Sequence, residues 1–172
     1  MAAQNAVLTP ANDYIMSLSI TGLVSSPRQL SFADLAAIAA RHQIADVSRM
    51  APGKQGTAVT LAGILELVQP QAEAKYLGLH ATADNFHASI PLSAVRDKAV
   101  VIYAQNGQPL PAKAGGPVRF FIPDHHACQT HEIDECANVK FVDAMELTAE
   151  AGFDNRPHDE QQHAELHAKE QS

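Results

Sequence analysis

The chain has no tryptophan, only two cysteines, and few aromatic residues: three tyrosines and six phenylalanines in 172 residues. A scaffold stapled by several disulfides is therefore excluded, and stability must come from aliphatic burial. Positive charge is also scarce, with 12 Lys and Arg against 19 Asp and Glu and a formal charge of −7. That balance excludes the broad basic footprint that nucleic acid or an anionic membrane surface requires. No run of 18 apolar residues occurs, so no ordinary membrane span is expected. The first ten residues show no basic stretch leading into an apolar one. With no secretion signal visible, the cytoplasm is the expected compartment, or the periplasm if a leader has been removed.

What is present is a hydrophobic fraction of 46%, enough for one domain with a proper core. Charge is concentrated at the end: residues 150–172 carry six acids against two bases and almost no large apolar side chain after Phe153. The expected organisation is an N-terminal extension over 1–13, one domain over 14–149, and an acidic, flexible, His-containing tail over 150–172. His163 and His167 stand four apart in that tail and would share a helix face as metal ligands; a polar tail that happens to contain histidine is the plainer reading.

Along the body, residues 14–20 alternate apolar and polar, the pattern of a half-buried strand. Ser31 with Asp34 three residues on predicts a capped helix running to about Arg41, followed by a short strand over 43–47. Thr60 is placed to cap a helix carrying Ile64, Leu65 and Val68, which Pro70 stops. Strands are predicted over 75–81 and 86–90, a short helix after Pro91, and a continuous apolar strand over 99–104. Asn106-Gly107 is a tight-turn signal. Further strands are expected over 118–122 and 139–147. No repeat with a period of 20–50 residues is present. The class is α/β mixed (α+β), a largely β core with short helices.

Four segments of this chain, in order, resemble the molybdopterin-binding domain of sulfite-oxidase-type oxidoreductases. Leu18-Ser-Ile-Thr-Gly-Leu-Val24, with Pro27 and Leu30-Ser-Phe-Ala-Asp-Leu35, is similar to that family's opening. Gly56 through Val59-Thr-Leu-Ala-Gly-Ile-Leu65, and Asp84-Asn-Phe-His-Ala-Ser-Ile-Pro-Leu92, are similar to its middle. Asn106-Gly-Gln-Pro-Leu-Pro111, Gly115-Gly-Pro-Val-Arg119, Pro123 and Val139-Lys140 are similar to its C-terminal half. The resemblance implies a sulfite-oxidase-type molybdopterin-binding fold with a pocket for the pterin. Carried over position by position, it implies His87, Asn106, Arg119 and Lys140 as cofactor-binding residues. Arg and Lys suit a pterin-linked phosphate, and Gly115-Gly116 would let the backbone approach a ligand. An ion pair at a strand end, turn chemistry and a half-buried strand histidine are the plain structural readings of the same residues.

The chain departs from that pattern where it matters for redox chemistry. Family members that do chemistry hold molybdenum through a cysteine ahead of the Gly56–Leu61 segment, where this chain has Asp46-Val-Ser-Arg-Met50. A serine hydroxyl is not a soft thiolate, so Ser48 or Asp46 would serve only a hard, oxidised metal through oxygen.

A second cluster, Asp124-His-His-Ala-Cys-Gln-Thr-His-Glu-Ile-Asp-Glu-Cys136, holds both cysteines and three histidines. Three readings fit it. Cys128 and Cys136 form a disulfide worth roughly 2–3 kcal/mol in an oxidising compartment. Alternatively, Cys128, Cys136 and His131, with His125 or His126, bind a transition metal (Zn, Fe or Cu). In the third, the thiols are free on a surface loop. The spacing is not that of a common zinc knuckle.

Two functions follow as expectations. One is a molybdopterin-dependent oxidoreductase-like protein that takes a small-molecule cofactor, works with a redox partner protein, and carries a separate His/Cys metal loop. The other is a cofactor-free binding protein on the same fold, with a structural Cys128–Cys136 disulfide.

Overall fold

The computed structural model describes residues 17–124, 132–134 and 137–157. It contains ten strands and three short helices among these residues: β1 Leu18–Gly22, β2 Arg28–Leu30, α1 Phe32–Ala36, β3 Gln43–Ile44, β4 Thr57–Thr60 and α2 Leu61–Val68. There follow β5 Tyr76–Ala81, β6 Phe86–Pro91, α3 Leu92–Val95, β7 Val100–Gln105, β8 Gln108–Pro109, β9 Arg119–Phe121 and β10 Ala144–Thr148. The strands make two five-stranded sheets. One has the order β2-β1-β10-β5-β6, and the other runs β3-β4-β7-β8 with β9 also on β7. Among the described residues only β1 and β10 pair in parallel; every other ladder is antiparallel. The mixed, mostly β class expected from the sequence is the class observed. Among the described residues no helix is long and apolar enough to cross a membrane.

The run of apolar residues over 99–104 has a physical reason in β7. Val101 and Tyr103 join the main core between the sheets, while Val100 and Ile102 join a second cluster with Val47, Ala58, Leu110 and Phe121. The second sheet is thus apolar on both faces, which removes the alternation a half-solvated strand would show. In the first sheet, Leu77, Leu79 and Ala81 on β5 and Ala88 and Ile90 on β6 face the core, leaving Gly78, His80, His87 and Ser89 on the other face.

Three elements are shorter than the sequence suggests. The Ser31 capping box is present, but α1 ends at Ala36 and a separate 3-10 turn covers Ala40–His42. The cause is Gln43, whose amide donates to the carbonyls of Leu35 at 2.9 Å and Ile38 at 3.1 Å and closes the helix early. The strand expected over 43–47 stops at Ile44, because Asp46 caps a 3-10 turn, Val47–Arg49, by accepting from Ser48 N–H. The segment 139–147 is not one strand. Phe141 takes a positive φ of 59°, so the chain leaves the second sheet near the Val118–Val142 bridge and enters the first at Ala144.

The end of the described chain also differs from a solvated tail beginning at 150. Residues 152–156 lie along β6, the outermost strand of the first sheet, and satisfy its edge. Asn155 accepts from His87 N–H at 2.8 Å and donates its own N–H to His87 C=O at 3.0 Å. Asp154 accepts from Ser89 N–H at 2.9 Å, and Gly152 N–H donates to Ser89 Oγ. Arg156 is buried in an ion pair with Asp154, an arrangement that hydrophobic periodicity does not register.

Candidate functional site

Arg119 sits on β9 opposite Ile102, so its side chain shares the face of Ile102 and Phe121, away from the main core. Lys140 lies on the crossover between the sheets, one residue before Phe141. Gly115 joins the two. It has φ +104°, its carbonyl accepts from Phe141 N–H at 2.7 Å, and a Cβ there would lie 3.4 Å from the Lys140 stem and 3.5 Å from Arg119 Cδ. A glycine is what permits that conformation and that close approach. The loop, the strand and the crossover thus bring the stems of Arg119 and Lys140 together beside Gly115.

Arg119 is only partly exposed, and its Nε is a buried donor with no hydrogen-bond partner among the described residues. Burial holds its pKa below the ordinary value. A buried donor without a partner is costly, and an anion presented to it recovers that cost. Lys140 is exposed and, with its stem beside Gly115, adds a second positive charge.

The turn that carries Asp46 and Ser48 borders the same side, because Val47 packs in the cluster with Ile102 and Phe121. Its chemistry is closed on itself. Ser48 Oγ donates to Asp46 Oδ1 at 2.6 Å, and Ser48 N–H donates to the same oxygen at 3.0 Å. The hydrogen bonds from the Ser48 side chain and backbone hold the exposed Asp46 carboxyl below its usual pKa, against a small opposing effect of desolvation. Arg119 and Lys140 offer the positive charge that an anionic group such as a phosphate requires. The thiolate that a molybdenum centre of the family's usual kind requires is not offered by residues 46–50.

The four positions carried over from the resemblance do not lie together. Arg119 and Lys140 do. His87 is on the outer face of the first sheet, across the core from Arg119, where it pairs with His80. Asn106 is exposed in the β7–β8 turn; with Gly107 it takes the two positive φ values, 55° and 74°, that a tight hairpin needs. The sequence reading missed His80, Asp154 and Arg156. His80 and His87 are direct cross-strand neighbours, a relation that becomes visible only once the β5–β6 register is fixed. Cys128, Cys136, His125, His126 and His131 lie outside the described residues, as do His158, His163 and His167. Among the described residues no group of three or more His, Cys, Asp or Glu is placed to hold a metal.

Comparison with known proteins agrees with this architecture. Residues 7–153 match the family described as oxidoreductase molybdopterin binding domain. No curated protein matches the sequence. Among solved structures, the sulfane dehydrogenase SoxCD from Paracoccus pantotrophus shares the fold, with a TM-score of 0.57 and 22% sequence identity. The alignment covers 78% of this chain and 38% of that one, so this chain spans well under half its length.

Proposed function

This chain belongs to the oxidoreductase molybdopterin binding domain family, and on that footing we propose that it binds the phosphate end of a molybdopterin-type cofactor at Arg119 and Lys140. The observation that carries the reading is the half-buried Arg119 guanidinium, whose Nε finds no partner among the described residues. Arg119 would hold the phosphate through its planar guanidinium, Lys140 would add a point charge, and Gly115 keeps the space between their stems clear. Such a cofactor supplies redox chemistry at its metal when bound. His87 and Asn106, separate from Arg119 in the fold, are the weaker part of the carried-over set. A redox partner protein belongs to the same proposal.

The test is to express the chain in a cofactor-producing host and assay pterin by fluorescence after oxidation, together with molybdenum. Pterin in the wild type that is lost in Arg119→Ala supports the reading. Folded wild type with neither group contradicts it.

One observation favours the cofactor-free alternative: the 46–50 turn, where the resemblance implies a thiolate, has none, and the Ser48 hydroxyl is committed to Asp46. On that reading the chain keeps the fold as a binding protein, and Cys128–Cys136 is a structural disulfide. The transition-metal reading of Cys128, Cys136, His131, His125 and His126 is the rival for the same loop. Non-reducing alkylation and mass spectrometry separate the two, since two alkylated thiols in fresh protein exclude the disulfide.

A further inference from the structure

We propose that His80 and His87 form a two-imidazole chelate for a tetragonal divalent transition-metal ion, copper(II) above all. The pair sits on adjacent strands in direct register, on the sheet face away from the core and at the end next to the β5–β6 connection. Their Nδ1 atoms are 2.8 Å apart. The other nitrogen of each ring faces an oxygen. His80 Nε2 is 3.6 Å from Glu146 Oε1, and His87 Nε2 is 3.3 Å from Asn85 Oδ1. The Nδ1–Nδ1 contact is a hydrogen bond: one imidazole donates its Nδ1–H and the other accepts, the tautomer deciding which. A divalent metal ion would take the place of that shared proton and be held by both nitrogens. A carboxylate or amide behind each imidazole is also the arrangement that orients histidine for metal binding and raises its basicity.

Donor type points to the metal: two imidazole nitrogens, with oxygen in the remaining positions. Square-planar or tetragonal sites with nitrogen and oxygen donors belong to copper(II) or nickel(II), and copper(II) binds most tightly in the first-row order. The remaining positions are left to solvent oxygen, consistent with the absence of any larger ligand cluster among the described residues.

The rings are held ready for this. His80 lies over Gly78, where a Cβ would approach Nε2 to 3.1 Å, and Gly78 is the register partner of Glu146. Phe153 packs against His87 in a tilted arrangement, with ring centroids 5.1 Å apart. The Asn155 bonds fix the His87 backbone on both its N–H and its C=O. Binding therefore asks for a turn of each ring toward a common point and no backbone change.

The test titrates copper(II) into the full chain at neutral pH, followed by electron paramagnetic resonance and melting temperature, with nickel(II) as a redox-inert check. The first equivalent should show nitrogen coupling from two imidazoles and raise the melting temperature. Controls carrying His163→Gln/His167→Gln, or Cys128→Ser/Cys136→Ser/His131→Gln, should behave likewise, whereas His80→Gln and His87→Gln should lose that event. Glu146→Gln and Asn85→Ala keep both imidazoles and should weaken binding by about 10–100-fold; they decide the matter if a histidine variant fails to fold. Zinc should bind more weakly than nickel. Wild-type affinity and spectrum in His80→Gln or His87→Gln, or undiminished affinity in both Glu146→Gln and Asn85→Ala, would place the metal elsewhere and overturn the proposal.

Discussion

Arg156 folds back onto Asp154, with Nη2 2.7 Å from Oδ2 and Nε 3.0 Å from each carboxylate oxygen. The same carboxylate accepts from Ser89 N–H on β6, and Nη1 reaches Asp134 at 3.3 Å. This cluster ties the last described segment to the edge of the first sheet. Removing one member of a buried pair strands the other, so Arg156→Ala should lower stability by about 3 kcal/mol in urea denaturation. A change below about 0.5 kcal/mol would mean that the pair is solvated and the strap frayed.

The pH dependence of that pair has a definite sign. Burial alone raises the Asp154 pKa, but the bonds from the Arg156 side chain and the Ser89 and Arg156 N–H groups outweigh it, and the net value lies below 3.8. A depressed carboxyl contributes stability that is fully present above its unfolded pKa and is lost as pH falls through the folded one. Wild type should therefore lose stability below about pH 4 more steeply than Asp154→Asn, as measured by denaturation midpoints across the acid range. Parallel curves would contradict this.

Gln43 makes two connections at once: its amide closes α1, and its carbonyl accepts from Tyr103 O–H at 2.7 Å. Gln43→Ala should cost about 1–3 kcal/mol, because it leaves a buried hydroxyl and helix carbonyls without partners. Tyr103→Phe should cost less, since the freed Gln43 oxygen is nearer to water. Equal losses in both variants would show that the helix-closing bonds contribute little.

Much of the fold was legible in the residues. Ser31 with Asp34 gave the first cap, Thr60 the second, Asn106-Gly107 the hairpin turn, and the apolar run over 99–104 a strand buried on both faces. Long-range side-chain bonds were not legible. Gln43 ends a helix from five to eight residues away, and Arg156 anchors a segment whose composition reads as solvated tail. Arg119 and Lys140 were identifiable by resemblance, but that they flank Gly115 follows from the crossover at Phe141, where a positive φ interrupts an otherwise strand-like sequence. His80 carried no signal of its own until β5 and β6 were registered.

Because Arg119 is a partly buried cation with an unsatisfied donor, it should destabilise the cofactor-free protein. Arg119→Met should raise the melting temperature of that form, by the equivalent of about 1–2 kcal/mol, while abolishing stabilisation by added inorganic phosphate. A lower melting temperature in Arg119→Met would show that the guanidinium is already paired and that no anion is needed.

Ser48→Cys supplies the missing soft ligand without disturbing the core, since Ser48 lies at the surface end of its turn. In a cofactor-producing host the variant should carry more molybdenum per chain than wild type, read by elemental analysis. Equal metal content would indicate that the pterin, if held, does not bring its metal to the 46–50 turn.

The central claim, an anionic pterin held by Arg119 and Lys140, is tested most directly by the pterin content of folded protein from a cofactor-producing host. The account predicts pterin fluorescence after oxidation in the wild type, reduced in Lys140→Ala and lost in Arg119→Ala. Folded wild type without pterin, or equal pterin in Arg119→Ala, would contradict it.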